Sequence, residues 1–126
     1  MSDNNRQTIT THLPLSVLRK RNEFLAVAAR GRKWVTPGLI LQQGNSLESE
    51  SSLRYGLTAS RKIGNAVTRN RARRRLRDVA LRILPHHAVA GYDYVLIARA
   101  ETPKRLFVDL KQDLQTALKK LGAYRE

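Results

Sequence analysis

Apolar positions in this 126-residue chain follow two periods. Tyr92-Asp93-Tyr94-Val95-Leu96-Ile97-Ala98 is a nearly unbroken apolar run of strand length, which predicts a central strand covered on its faces. From Ala66 onward, steps of ~100° per residue gather Ala72, Leu76, Val79, Ala80 and Ile83 into one stripe, the pattern of an amphipathic helix. The same spacing returns in Leu106, Leu110, Leu114, Leu118 and Leu121, a final helix that Gly122 ends. A shorter helix is predicted from a cap at Asn22 to about Arg30, with Gly31 as its stop and Phe24, Val27 and Ala28 on its inner face. Strand-like stretches occupy 33–42, broken at Thr36-Pro37-Gly38, and 53–60. Between them, 43–52 has the Ser, Gly, Glu and Asn content of a flexible hairpin loop with no expected function. The order is then helix, three strands, helix, strand, helix, an α+β layer structure.

A chain of this length with 41% hydrophobic residues supplies one modest core. We expect a loosely held tail over 1–12, a single domain over 13–122 and a short tail over 123–126. Leu13, Leu15 and Leu18 are expected to tuck against the core. Trp34 is assigned to packing, and Lys111, Lys119 and Lys120 to a solvated helix face.

Charge narrows the function. Lys and Arg number 24 against 10 Asp and Glu, a formal net charge of +14, which favours a polyanionic partner: RNA, DNA or an anionic membrane. No apolar run reaches membrane-spanning length and 1–12 lacks a signal-peptide core, so the expected setting is cytoplasmic and off the membrane. The absence of cysteine excludes disulfides and thiolate zinc sites. His12, His86 and His87 are the only histidines; the adjacent pair follows Pro85 and is read as surface loop, over 86–91, in preference to a metal pair. Asp78, Asp93, Asp109 and Asp113 are too scattered for a two-metal site. An enzyme built with this chain takes its chemistry from a partner.

The cationic residues concentrate between Ser60 and Arg77, where Arg61, Lys62, Arg69, Arg71, Arg73, Arg74, Arg75 and Arg77 precede the first acid, Asp78. A strand here runs through a turn at Gly64 into a helix capped by Asn65, and the outward N–H groups beside Arg61 and Lys62 suit a phosphate. The Walker pattern is absent. On the helix, Arg71, Arg75 and Arg82 lie along one flank of the stripe, Arg73 and Arg77 along the other, and Arg74 points away. Arg69 falls within the stripe near the helix start, so it leans over the edge of the packing surface toward a neighbouring groove. A solvated face is the bland alternative, yet such a face intersperses Glu at i−4, and this one does not. Nucleic-acid binding is the better account. Arg19-Lys20-Arg21 adds a second basic cluster, and Phe24, by default a core residue, is a base-stacking platform if it is partly exposed.

The run from Lys62 to Arg77, with Lys-Ile-Gly-Asn-Ala-Val before Arg69-Asn70-Arg71, resembles the bacterial ribonuclease P protein subunit. Asn22-Glu23-Phe24, Arg54-Tyr55-Gly56 and Tyr92 to Arg99 extend the resemblance from about Leu15 to Leu121. The resemblance implies an α+β, two-layer fold of three helices on a four-stranded mixed sheet, order αβββαβα, in the class of the second domain of a small-subunit ribosomal protein. Its strand–helix–strand crossover is left-handed, where the general rule gives the right hand. It further implies a subunit, monomeric within the holoenzyme, of the ribonucleoprotein that removes the 5′ leader of precursor tRNA by Mg²⁺-dependent hydrolysis. The catalytic centre there belongs to the RNA. By resemblance Asn70, Arg71, Arg74 and Arg77 contact ribonuclease P RNA, while Phe24, Arg61, Lys62, Arg69 and Arg73 line a leader groove between the first helix and the sheet. The chain departs from many relatives at Ala28 and Gln42, where they carry aromatics. The alternative function is a ribosomal or general RNA-binding protein; a metal nuclease acting alone has little support.

Overall fold

The computed structural model describes residues 14–46 and 51–126, so the tail expected over 1–12 and the middle of the 43–52 loop lie outside the described residues. Among these residues the elements are β1 (Ser16–Val17), α1 (Arg21–Arg30), β2 (Arg32–Val35), β3 (Leu39–Asn45), β4 (Leu53–Thr58), α2 (Ala66–His87), β5 (Tyr92–Ala98) and α3 (Phe107–Lys120), with a 3₁₀ turn at Arg61–Ile63. The sheet order is β1-β4-β5-β3-β2. β4 runs parallel to β5 with α2 crossing between them, and β3 is antiparallel to β5. The apolar run of β5 thus has neighbours on both sides.

Two expectations are corrected. The sheet has five strands, not four, because β1 pairs Ser16 with Arg54 and Val17 with Tyr55, parallel to β4. Two residues are too few to show an alternating pattern, so β1 leaves no periodic signal in the sequence. Leu18, which follows it, donates its N–H to the Tyr55 carbonyl at 2.7 Å and is buried as expected. The fold is also not two-layered. Tyr94, Leu96 and Ala98 of β5 enter one core with α2 and α3, while the alternating Val95 and Ile97 join Leu18, Val27 and Phe24 under α1. A strand apolar on both faces needs cover on both. The order is therefore βαβββαβα, with α1 on one face of the sheet and α2 and α3 on the other.

α1 lies close against the sheet. A Cβ at Gly56 of β4 would collide with the Phe24 ring, and one at Gly44 of β3 would stand 3.3 Å from the Val27 Cα. The helix starts one residue before the expected cap, with Lys20 in the cap position, although a lysine side chain has no acceptor to offer. Glu23 supplies what is missing: its Oε1 accepts the N–H groups of both Arg19 and Lys20 at 2.9 Å. Its Oε2 accepts from Arg54 Nη1 at 2.9 Å, and Arg54 holds Asp93 through two further hydrogen bonds of 2.9 and 2.7 Å. This buried arginine links α1, β4 and β5.

Asn65 caps α2, its side chain accepting the Thr68 N–H at 2.9 Å, and Gly64 takes the positive φ of 148° that the turn requires. The helix then continues through Pro85 to His87, past the expected start of the loop at 86. Contacts from the end of the chain account for this. Arg125 donates to the carbonyls of Pro85 (2.7 Å) and Ala88 (3.1 Å), and the His87 ring stacks on Tyr124 with centroids 4.9 Å apart. Ala123 is fully buried, so the segment expected as a tail packs against the end of α2.

Candidate nucleic-acid interface

The apolar stripe of α2 is buried as its spacing predicts, with Ala72, Leu76, Val79 and Ala80 at 0% exposure. That fixes the directions of the arginines. One flank turns into the protein: Arg71 Nε donates to the Pro103 carbonyl at 3.2 Å, Arg75 donates to the carbonyls of Thr102 (3.0 Å) and Arg105, and the Arg82 guanidinium lies 5.5 Å from the Phe107 ring centroid. These contacts satisfy carbonyls of the β5–α3 loop. Arg71 and Arg82 remain exposed at the rim, and Arg74 is exposed on the outer face of the helix.

The other flank reaches around the sheet. Because β1 is two residues long, it pairs with β4 only at Arg54 and Tyr55, and Leu57 to Ser60 present an open edge beyond it. Arg73 and Arg77 of α2 come past that edge to the α1 side. There a groove of about 480 Å³ opens between Phe24, Arg19 and Arg21 on one side and Leu57, Ile97 and Arg73 on the other. A second hollow, lined by Val17, Leu18, Phe24, Arg73 and Arg77, joins it. The two share Phe24 and Arg73 and form one cleft. Phe24 is half-buried: one side rests on Gly56 and another faces the groove.

The expected residues separate accordingly. Phe24 and Arg73, which the resemblance gives to the leader groove, line the cleft. Asn70 does not stand apart from them, since its Oδ1 accepts from Arg73 Nη1 at 2.9 Å and holds that guanidinium against the β4 edge. Arg77, which the resemblance gives to the catalytic RNA, also lines the cleft. Arg69, assigned to the groove, donates to the Gly64 carbonyl at 3.0 Å and closes the turn before α2. Arg61 and Lys62 are exposed in the 3₁₀ turn directly after Ser60, at the end of the groove. Arg19 and Arg21 join the lining, beyond the residues that the resemblance implies. The signal was the basic run at 19–21, but only the placement of α1 over β4 and β5 aims it at Phe24. Of the two departures, Ala28 is exposed on α1 and not on its inner face as expected, and Gln42 pairs with Val95 on β5.

The cleft offers fixed positive charge, an apolar floor and one aromatic ring. Glu23, behind Phe24, is held below the usual carboxylate range first by the N–H donors of Lys20 and Arg19 and then by Arg54. It is therefore an ionised anchor. Among the described residues no three His, Cys, Asp or Glu side chains gather as a metal site. The chemistry of the cleft suits an anionic strand that carries flat rings.

A family model described as Ribonuclease P matches residues 14–122. The ribonuclease P protein component of Paramagnetospirillum magneticum is 53% identical over 116 residues, covering 89% of this chain and 86% of that one. The chain belongs to the ribonuclease P protein family. The corresponding component of Ruegeria pomeroyi is 47% identical over 86% of this chain and 88% of its own length. Among solved structures, the ribonuclease P protein of Staphylococcus aureus superposes with a TM-score of 0.72 at 24% identity, covering 86% of this chain and 97% of that one. That of Thermotoga maritima gives 0.64 at 25% identity over 84% and 94%. Three helices on a mixed sheet are thus the shared family architecture, and the Arg69-Asn70-Arg71 block sits on its long helix.

Proposed function

We propose that this chain, as the protein subunit of ribonuclease P in tRNA 5′-end processing, uses the two faces of one sheet for two RNAs. The cleft on the α1 face takes the single-stranded 5′ leader of precursor tRNA: Phe24 stacks a base while Arg19, Arg21, Arg73 and Arg77 meet successive phosphates. The outer surface of α2, centred on Arg74 with Arg71 at its rim and Arg61 and Lys62 in the turn before it, takes ribonuclease P RNA. Asn70 and Arg69 act by holding Arg73 and the turn. The chain supplies cations between two polyanions and so lowers the repulsion that otherwise separates leader and catalytic RNA. Hydrolysis belongs to the RNA, with Mg²⁺ bound there, and this reading places no metal step on the protein. The left-handed β4–α2–β5 crossover, a cytoplasmic setting and a single copy per holoenzyme complete the proposal.

The observation that supports it is a half-buried aromatic ring flanked by arginines in an open cleft. The test is cleavage of a 5′-extended precursor tRNA at low Mg²⁺ by the cognate ribonuclease P RNA, with the protein, without it, and by the protein alone. Strong stimulation with no cleavage by the protein alone is expected. Tight RNA binding without stimulation would instead make the chain a general RNA-binding protein.

A further inference from the structure

At the sheet edge farthest from the cleft, β2 pairs with β3 alone and all of its residues are exposed. Trp34 stands there at 39% exposure. It lies opposite buried Leu41, a residue of the α2 and α3 core, so its ring is on the helix-covered face and not on the face of Phe24. At the end of α3, the Lys120 ammonium lies 5.6 Å from the indole centroid and that of Lys119 lies 4.8 Å from the Tyr124 ring centroid. The last acid of α3, Asp113, is buried against Arg105, so the final turns of the helix carry cations alone. Arg32 donates to Gln43 and to the Leu121 carbonyl, which fixes the end of α3 to β2. Lys120, expected to be solvated, thus lies over the aromatic expected to be packed, and Lys119 beside it at the end of α3 lies over Tyr124.

We propose that Trp34, Lys119 and Lys120 form a second RNA-binding surface, which takes an unpaired segment of ribonuclease P RNA. One base stacks on the indole and the adjoining phosphates meet the two ammonium groups. An aromatic face with flanking cations is the chemistry that holds single-stranded nucleic acid. A base on the ring replaces the exposed Lys120 contact and frees that ammonium for a phosphate. The occupant follows from charge and position. A second copy of a chain with net charge +14 would bring like charges together at Arg32 and Lys33, which already guard the edge against strand pairing. The surface shares its face of the sheet with the outer arginines of α2 and is turned away from the cleft, so it extends the surface for the catalytic RNA. The inference rests on the two-face reading above.

Trp34 is the only tryptophan beside four tyrosines, so emission excited at the red edge, where the indole absorbs and tyrosine does not, reports on this surface alone. The protein is titrated with ribonuclease P RNA and, separately, with a short 5′-leader oligonucleotide, with saturation established independently by filter retention. Ribonuclease P RNA is expected to quench the emission and cut acrylamide access several-fold, and the leader is expected to leave both unchanged. Trp34→Ala should lower affinity for that RNA by about tenfold at unchanged melting temperature, with Trp34→Phe recovering most of it. Replacing Lys119 and Lys120 together by Gln should reduce the salt slope of binding by roughly two. Unaltered emission and acrylamide access at saturating ribonuclease P RNA would overturn the proposal, as would quenching by the leader alone. If wild-type protein and Arg74→Ala bind that RNA equally weakly, the two-face reading falls first and this inference with it.

Discussion

Phe24 does its work through contacts with both backbone and cleft. Its ring occupies the volume that a side chain at position 56 would need, so Gly56 is required for close approach rather than for an unusual dihedral angle. Phe24→Ala should weaken precursor tRNA by about tenfold, the loss of one base stack, while mature tRNA without a leader is little affected. Gly56→Ala should reproduce that selective loss without touching any charge, because the added methyl displaces the ring. Equilibrium binding of both RNAs to the holoenzyme checks the pair. An equal loss for precursor and mature tRNA would make Phe24 a core residue only. Among the arginines, exposure and partners separate roles that the sequence leaves alike: Arg75 is tied to loop carbonyls, Arg69 to Gly64, and Arg74 to neither.

At the scale of elements, the bridge from Glu23 through Arg54 to Asp93 explains why short motifs far apart in sequence accompany the basic helix. Asn22-Glu23-Phe24, Arg54-Tyr55-Gly56 and Tyr92-Asp93-Tyr94 meet at one buried guanidinium and one aromatic ring. Arg54 is thus scaffold, buried between two carboxylates. Arg54→Met leaves Asp93 buried without its ion partner and should cost ~3–5 kcal/mol in denaturant unfolding. Glu23 adds a pH dependence. Its folded-state pKa is lowered from an ordinary value of 4.5, so its contribution is complete above that value and lost as pH falls through the folded pKa. The gap in unfolding midpoint between wild type and Glu23→Gln should therefore be full at pH 7 and narrow as pH falls below the ordinary value of 4.5. A gap that does not narrow anywhere on the acid side of that value would show that the carboxylate charge is not what anchors α1.

At the scale of the molecule, separate faces for two RNAs predict separable mutants. Arg74→Ala should weaken ribonuclease P RNA and reduce the salt slope of that binding by about one, leaving the leader contribution intact. Arg77→Ala, now placed in the cleft, should do the reverse: precursor affinity falls and ribonuclease P RNA affinity holds. Salt titrations of each variant against each RNA read this directly. The same loss for both RNAs with either variant would merge the two surfaces into one.

The residues themselves determined a great deal. The stripe of α2 and the leucine repeat of α3 stand out because a helix that buries one face must repeat its apolar residues every three to four positions. The apolar run of β5 marks a central strand, since only a strand covered on both sides tolerates such a run. The one-sign block at 60–77 announces a polyanion because nothing within the block offsets its self-repulsion. The three layers, β1, the extension of α2 and the packing of 123–125 were decided by contacts between segments distant in sequence. A two-residue strand has no period, a cap at Lys20 works only through Glu23, and the last turn of α2 is held by a remote arginine that takes carbonyls at the helix end. The cleft belongs to the same class. Arg19, Arg21, Arg73 and Arg77 meet around Phe24 only because β1 stops early and leaves the edge of β4 open, and no local pattern records where a neighbouring strand ends.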